Sequence, residues 1–101
     1  MQLRIVSGDG SAYALWPEAC IPEGAVSEDS VYTLQLVDLV ETESRAGCHL
    51  RMGGIDLGAG RLEGNGALSW TWQVNEYVGR VRVELERAGK PLIHATETLV
   101  E

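Results

Sequence analysis

The chain has 101 residues, 45% of them hydrophobic, and carries a formal net charge of −7 from 15 acidic and 8 basic side chains. That length fits one small domain, residues 1–101, with one core, and the composition is too apolar for a disordered chain. The acidic balance argues against binding along a phosphate backbone, which needs clustered Lys and Arg, and no run approaches the roughly 18 apolar residues of a membrane helix.

Gln2 to Val6 predicts a short strand, closed by the turn cluster Ser7-Gly8-Asp9-Gly10-Ser11. Ala12 to Trp16 predicts a second strand that pairs with the first as a hairpin. Pro17 to Ser30 contains two prolines, and proline removes a ladder donor, so this segment reads as an irregular surface connection. "VYTLQLVDLV", residues 31–40, is the longest apolar run. Its Val, Tyr and Thr favour a strand with Tyr32, Leu34, Leu36 and Val40 on one face and Asp38 as the exception. A helix capped by Ser27 or Ser30 is the competing reading.

Cys48 to Met52 predicts a strand on which His49 and Arg51 face away from Cys48, Leu50 and Met52. Gly53-Gly54 turns the chain, and Ile55-Asp56-Leu57 makes a short strand. "GAGRLEGNG" lacks the Lys and hydroxyl of a phosphate loop, and its glycine spacing misses the dinucleotide fingerprint. Asn65-Gly66 between strands instead signals a hairpin with a type I′ turn, which needs positive φ twice. Leu68, Trp70, Trp72 and Val74 then share one face. Val81, Val83 and Leu85 alternate with Arg80, Arg82, Glu84 and Glu86, the pattern of a half-buried antiparallel strand. Ala88-Gly89-Lys90 is a turn, and Pro91 opens a last strand running to Leu99 and Val100.

Nothing sustains a helical period. The expected fold is all-β, an antiparallel two-sheet β-sandwich of about seven or eight short strands, immunoglobulin-like in type. The strand density of His94 to Glu101, without a polar tail, suggests a domain cut from a longer protein.

The charge is uneven. Residues 1–44 hold eight carboxylates against Arg4 alone, which is the whole −7 excess, while residues 45–101 balance seven acids with seven bases. A solubilising surface is the plain reading of such an excess. Cys20 and Cys48 form no CxxC or Cys/His cluster, so neither zinc nor any other cofactor is expected. A disulfide is compatible with the count. Two reduced, mostly buried thiols in a cytoplasmic protein are favoured, and MQLRIVSGDG has no apolar region of signal-peptide length.

Catalysis lacks a constellation. Cys48 and His49 are neighbours and point to opposite faces of a strand, and Glu41 and Glu43 lie in a polar link. Trp70 and Trp72 sit among four matching apolar positions and read as core; the alternative is a flat platform that stacks a sugar or a base. Trp16 beside Pro17 and Tyr77 at a strand break are the aromatics expected at the surface. Arg80 and Arg82, with Arg51, form a basic strip whose plain reading is cross-strand pairing with Glu84 and Glu86.

"NEYVGRVRVELERAGKPLIHATETLVE", residues 75–101, looks like the closing hairpin of bacterial immunoglobulin-like β-sandwich modules. More loosely, "NEYVGRVRVEL" and the final "LVE" resemble the β-rich N-terminal region of prokaryotic proteins related to McrC, a subunit of modification-dependent restriction systems. In those proteins the module precedes a nuclease domain. This chain has no nuclease motif, so no catalytic residue is carried over, and its cysteine and tryptophan order departs from that of true immunoglobulin domains.

The expected function is therefore a non-enzymatic module for protein–protein contacts in a larger bacterial protein or complex, with Trp16, Tyr77, Arg80 and Arg82 as candidate surface. A carbohydrate- or ligand-binding module using exposed aromatics is the alternative. Nucleic-acid binding through Arg51, Arg80 and Arg82 is a lesser one, and no membrane partner is expected.

Overall fold

The computed structural model describes residues 1–22, 24–27, 30–38, 48–74, 80–87 and 89–98, with the backbone alone at 80 and 95–98. Among these described residues nine strands follow in order: β1 (Gln2–Val6), β2 (Ala12–Trp16), β3 (Val31–Val37), β4 (Cys48–Met52), β5 (Ile55–Ala59), β6 (Arg61–Leu62), β7 (Leu68–Gln73), β8 (Arg80–Arg87) and β9 (Lys90–Thr98). They form two sheets, β2-β1-β3-β7-β6 and β5-β4-β8-β9, and every pairing is antiparallel. The β-sandwich expected from period-two alternation is the observed fold. No helix among the described residues is long and apolar enough to cross a membrane.

Alternation explains the packing. In β3 the buried positions are Tyr32, Leu34 and Leu36, and directly opposite them in β7 lie the buried Leu68, Trp70 and Trp72, with Ser69 buried as well on the outer face. Leu3, Ile5 and Leu15 continue this inner face across β1 and β2. Cys48, Leu50, Met52, Val81, Val83, Leu85 and Ile93 supply the facing layer, and the two layers make one hydrophobic cluster. Trp70 and Trp72 are only 4% and 2% exposed. Removing about 200 Å² of each indole from water contributes roughly 5 kcal/mol apiece, so the core reading of this pair holds. Tyr32 and Trp72 meet as tilted rings, centroids 6.4 Å apart.

The turns refine the expectations. β3 stops at Val37, before Asp38, whose φ of 59° leaves the extended region; residues 39 and 40 lie outside the described residues. β4 and β5 join through Gly53-Gly54, both at positive φ (62° and 85°), as a type I′ turn requires. The hairpin expected at Asn65-Gly66 exists, but its turn is different. Gly66 has φ 87°, whereas neither Gly64 nor Asn65 has a positive φ. Gly66 N–H donates to the Glu63 carbonyl and Glu63 N–H to the Ala67 carbonyl. This is a three-residue loop with one left-handed glycine at its end, the longer alternative to type I′. Asn65 keeps an ordinary φ because its side-chain oxygen accepts the Ala67 N–H instead.

The Pro17–Ser30 connection is irregular as expected over its described residues, and it is pinned from below. The Tyr32 hydroxyl accepts the Ser27 N–H at 2.8 Å and donates to the Ala25 carbonyl at 3.4 Å. One expectation about the thiols is corrected. Cys48 is buried, but Cys20 is exposed, because the connection carries it over the edge of β2 rather than into the core. No disulfide joins the two.

Candidate functional site at the β6–β7 edge

The site is built by a change of sheet. β5 is the edge of one sheet and β6 the edge of the other, and only Gly60 separates them. Trp70 fixes this crossover: its indole N–H donates to the Gly58 carbonyl at 2.9 Å, and its ring lies so close to Gly60 that a side chain there would collide with it. Because the chain leaves one sheet so late and turns back at Glu63, β6 is two residues long. It pairs with Leu68 and Ser69 alone.

β7 is therefore unequally covered. On one side β3 pairs with it from Leu68 to Gln73. On the other side, among the described residues, no strand pairs with it beyond Ser69. Val74 N–H donates to the Ser30 carbonyl at 2.9 Å, so that position bonds toward β3. Backbone groups alternate sides in an antiparallel strand. Trp72 and Trp70 then also bond toward β3, while the N–H and C=O of Thr71 and Gln73 point to the open side.

A cleft of about 300 Å³ lies beside this edge. Trp70, Leu57 and Ala59 contribute its apolar part. Thr33, Ser69 and Thr71 line it from the outer face of the five-stranded sheet, with Arg61 and Glu63 at its end. The Ser69 hydroxyl, nearly buried, donates to the Glu63 carboxylate and so fixes that acid beside Arg61. One register row crosses the same outer face from Arg61 through Ser69 and Gln35 to Arg4. There Arg4 donates to the Gln35 amide oxygen at 3.3 Å, and its Nε is buried with no hydrogen-bond partner among the described residues.

Of the residues singled out from the sequence, the described ones lie elsewhere. Trp16 ends β2, half-buried and packed against the core rather than standing free. Tyr77 lies outside the described residues, as do Glu41 and Glu43. Arg80 opens β8 opposite Thr98, and Arg82 is exposed on the outer face of the four-stranded sheet opposite Thr96. Trp16 and Arg82 thus belong to different sheets. The basic strip is interleaved with acids. Arg51 lies opposite Asp56 on one side and Glu84 on the other; Glu84 in turn faces His94, and His49 faces Glu86. Cys48 points inward and His49 outward, as alternation requires. Among the described residues no group of three His, Cys, Asp or Glu side chains is placed to hold a metal ion.

The open edge was not anticipated from the sequence, although a signal was there. Between Gly60 and the turn at Gly64 stand only Arg61, Leu62 and Glu63, too few to match the run from Leu68 to Gln73. Comparison with protein-family models, curated proteins and solved structures finds no match for this chain.

Proposed function

We propose that this chain is a non-enzymatic, immunoglobulin-like interaction module of a larger bacterial, cytoplasmic protein or complex, and that it docks a protein partner on the β6–β7 side of the sandwich. One observation carries the reading: Tyr32, Trp70 and Trp72 are buried in the core, while β7 leaves backbone that no described strand pairs with beside a mostly polar cleft. With β2 set aside, the strand order β1-β3-β7-β6 opposite β5-β4-β8-β9 corresponds to the A-B-E-D and C′-C-F-G order of immunoglobulin sandwiches, which supports that type. The carbohydrate alternative needs an exposed aromatic platform, and Trp70 and Trp72 offer little more than an edge.

The test is site-specific photocrosslinking in cells of the source organism. A photoreactive residue in place of Thr71 should yield a discrete protein adduct, and one in place of Asp9, in the β1–β2 turn, should not. Adducts from neither position, or equally from both, would remove the proposal.

A further inference from the structure

The five-stranded sheet is built without acid. None of the chain's 15 carboxylates lies in β1, β2, β3, β6 or β7, and the only charges in those strands are Arg4 and Arg61. Its outer face carries Val6, Val31, Val37, Thr33, Gln35 and Thr71, each half-buried or exposed. The four-stranded sheet is the opposite. Arg51 stands between Asp56 and Glu84, so it already faces acids of its own sheet, and His49 lies opposite Glu86. Depletion of charge marks the core of a protein interface rather than a solvated face.

Arg4 faces no acid. Its register neighbours are Ala14 on β2 and Gln35 on β3, and its bond to Gln35 leaves Nε buried with no partner among the described residues. The carboxylate that reaches this row is Glu63, held at Ser69 by the serine hydroxyl. The row thus runs from Ala14 through Arg4, Gln35 and Ser69 to Arg61, and its middle member lies on β3, the central strand of five. It is basic one strand to one side of Gln35 and acidic one strand to the other.

We infer that a second copy of this chain packs on this face, about a two-fold axis running along β3 through Gln35. The inference rests on the docking reading and names its partner. Such an axis sets β1 of one copy against β7 of the other, and β2 against β6. Arg4 then meets the partner copy's Glu63, twice over, while Gln35 meets Gln35 and Arg61 falls on Ala14. Val31 and Thr33 meet their own counterparts, and Val6 meets Thr71. A two-fold contact requires this self-complementarity. Stacked sheets are turned by about 30°, which at one strand spacing of about 4.8 Å displaces an opposed pair by about 2.5 Å, within the reach of Arg and Glu. The −7 excess comes from acids outside these five strands, and exposed charges more than about 8 Å apart are largely screened at physiological salt.

Five short strands make a small interface, so the dimer is weak. Sedimentation equilibrium of the 101-residue protein, from about 10 µM to about 1 mM, should show reversible dimerisation of the 11.0 kDa chain. Amide shifts should change on dilution in β1, β3 and β7 but not in β4 and β8. Arg4→Glu and Glu63→Lys should each weaken self-association about tenfold or more, because each opposes like charges. An equimolar mixture of the two variants should associate again, since the carboxylates of one meet the cations of the other. Val31→Lys brings two ammoniums together on the axis from a position 55% exposed in the single chain. It should abolish the dimer, and it decides the matter if a charge reversal does not fold. A monomer throughout the range, a dimer that the substitutions leave intact, a mixture of folded variants that fails to associate, or dilution shifts in β4 and β8 would overturn the two-fold contact. In the dimer the Thr71 crosslink is to the chain itself. If the protein is monomeric while Thr71 traps a different protein, docking survives and the second copy is lost; with neither, both readings fall.

Discussion

Trp70 of one sheet is packed directly onto Gly60, the residue at which the chain crosses from the other. A Cβ at Gly60 would stand 2.8 Å from Trp70 Cζ2 and 3.0 Å from Leu68 Cβ. The indole N–H is meanwhile tethered to the Gly58 carbonyl two residues earlier. The corner is thus closed by a steric fit and a hydrogen bond that share one side chain. Because the corner sits at Gly60, β6 is short and the rim of β7 is open.

Gly60→Ala should destabilise the fold by about 1–3 kcal/mol, since the added methyl meets a ring that is tethered and buried. Urea unfolding measures this as a lower midpoint with an unchanged slope. An unchanged midpoint would mean that the crossover yields more easily than the packing indicates.

Trp70→Phe removes the donor to Gly58 and part of the ring that fills the corner. A loss of about 2–4 kcal/mol is expected, from an unmade hydrogen bond and a cavity together. Combined with Gly60→Ala, the two losses should be less than additive, because the smaller ring makes room for the methyl. Additive losses in that double-mutant cycle would separate the two contacts.

Tryptophan emission should be blue-shifted and poorly quenched by iodide in the native protein, dominated by Trp70 and Trp72 at 4% and 2% exposure. The half-buried Trp16 supplies the quenchable remainder. Trp16→Phe should therefore remove most of the quenching and leave the blue-shifted signal. Ready quenching that persists in this variant would place Trp70 or Trp72 at the surface.

The β6–β7 turn separates its two glycines. Gly66, at φ 87°, should lose about 1–2 kcal/mol on substitution by alanine, whereas Gly64, with no positive φ and open space around it, should tolerate the change. Equal losses at the two positions, compared by thermal denaturation, would argue for a different turn.

Asp9 accepts hydrogen bonds from the Ser7 hydroxyl and the Ser11 N–H in the β1–β2 turn, and these lower its pKa from 3.8 to about 2. The shift is downward, so its stabilisation is fully present above the unfolded value and is lost as pH falls toward about 2. NMR titration of the carboxyl should show this midpoint, and Ser7→Ala should move it up toward 3.8. A midpoint already near 3.8 in the unaltered protein would mean the turn does not hold the carboxylate.

The sequence by itself determined the strands, because burial on one face of a sheet imposes a period of two. Leu68-Trp70-Trp72 and Val81-Val83-Leu85 announce their faces without any knowledge of their partners. It determined the fold class for the same reason, and it located the hairpins through their glycines. It did not determine turn type at Asn65-Gly66, where the choice lay in whether Asn65 took a left-handed φ or spent its side chain on Ala67 N–H. It also could not say which strands would lie at edges, since edge status depends on neighbours that are remote in sequence. Residues 61–62 and 68–69 pair locally, but the bareness of Thr71 and Gln73 follows from where the chain changes sheets. That crossover is set at Gly60 by Trp70, a contact between two sheets that exists only once both have formed.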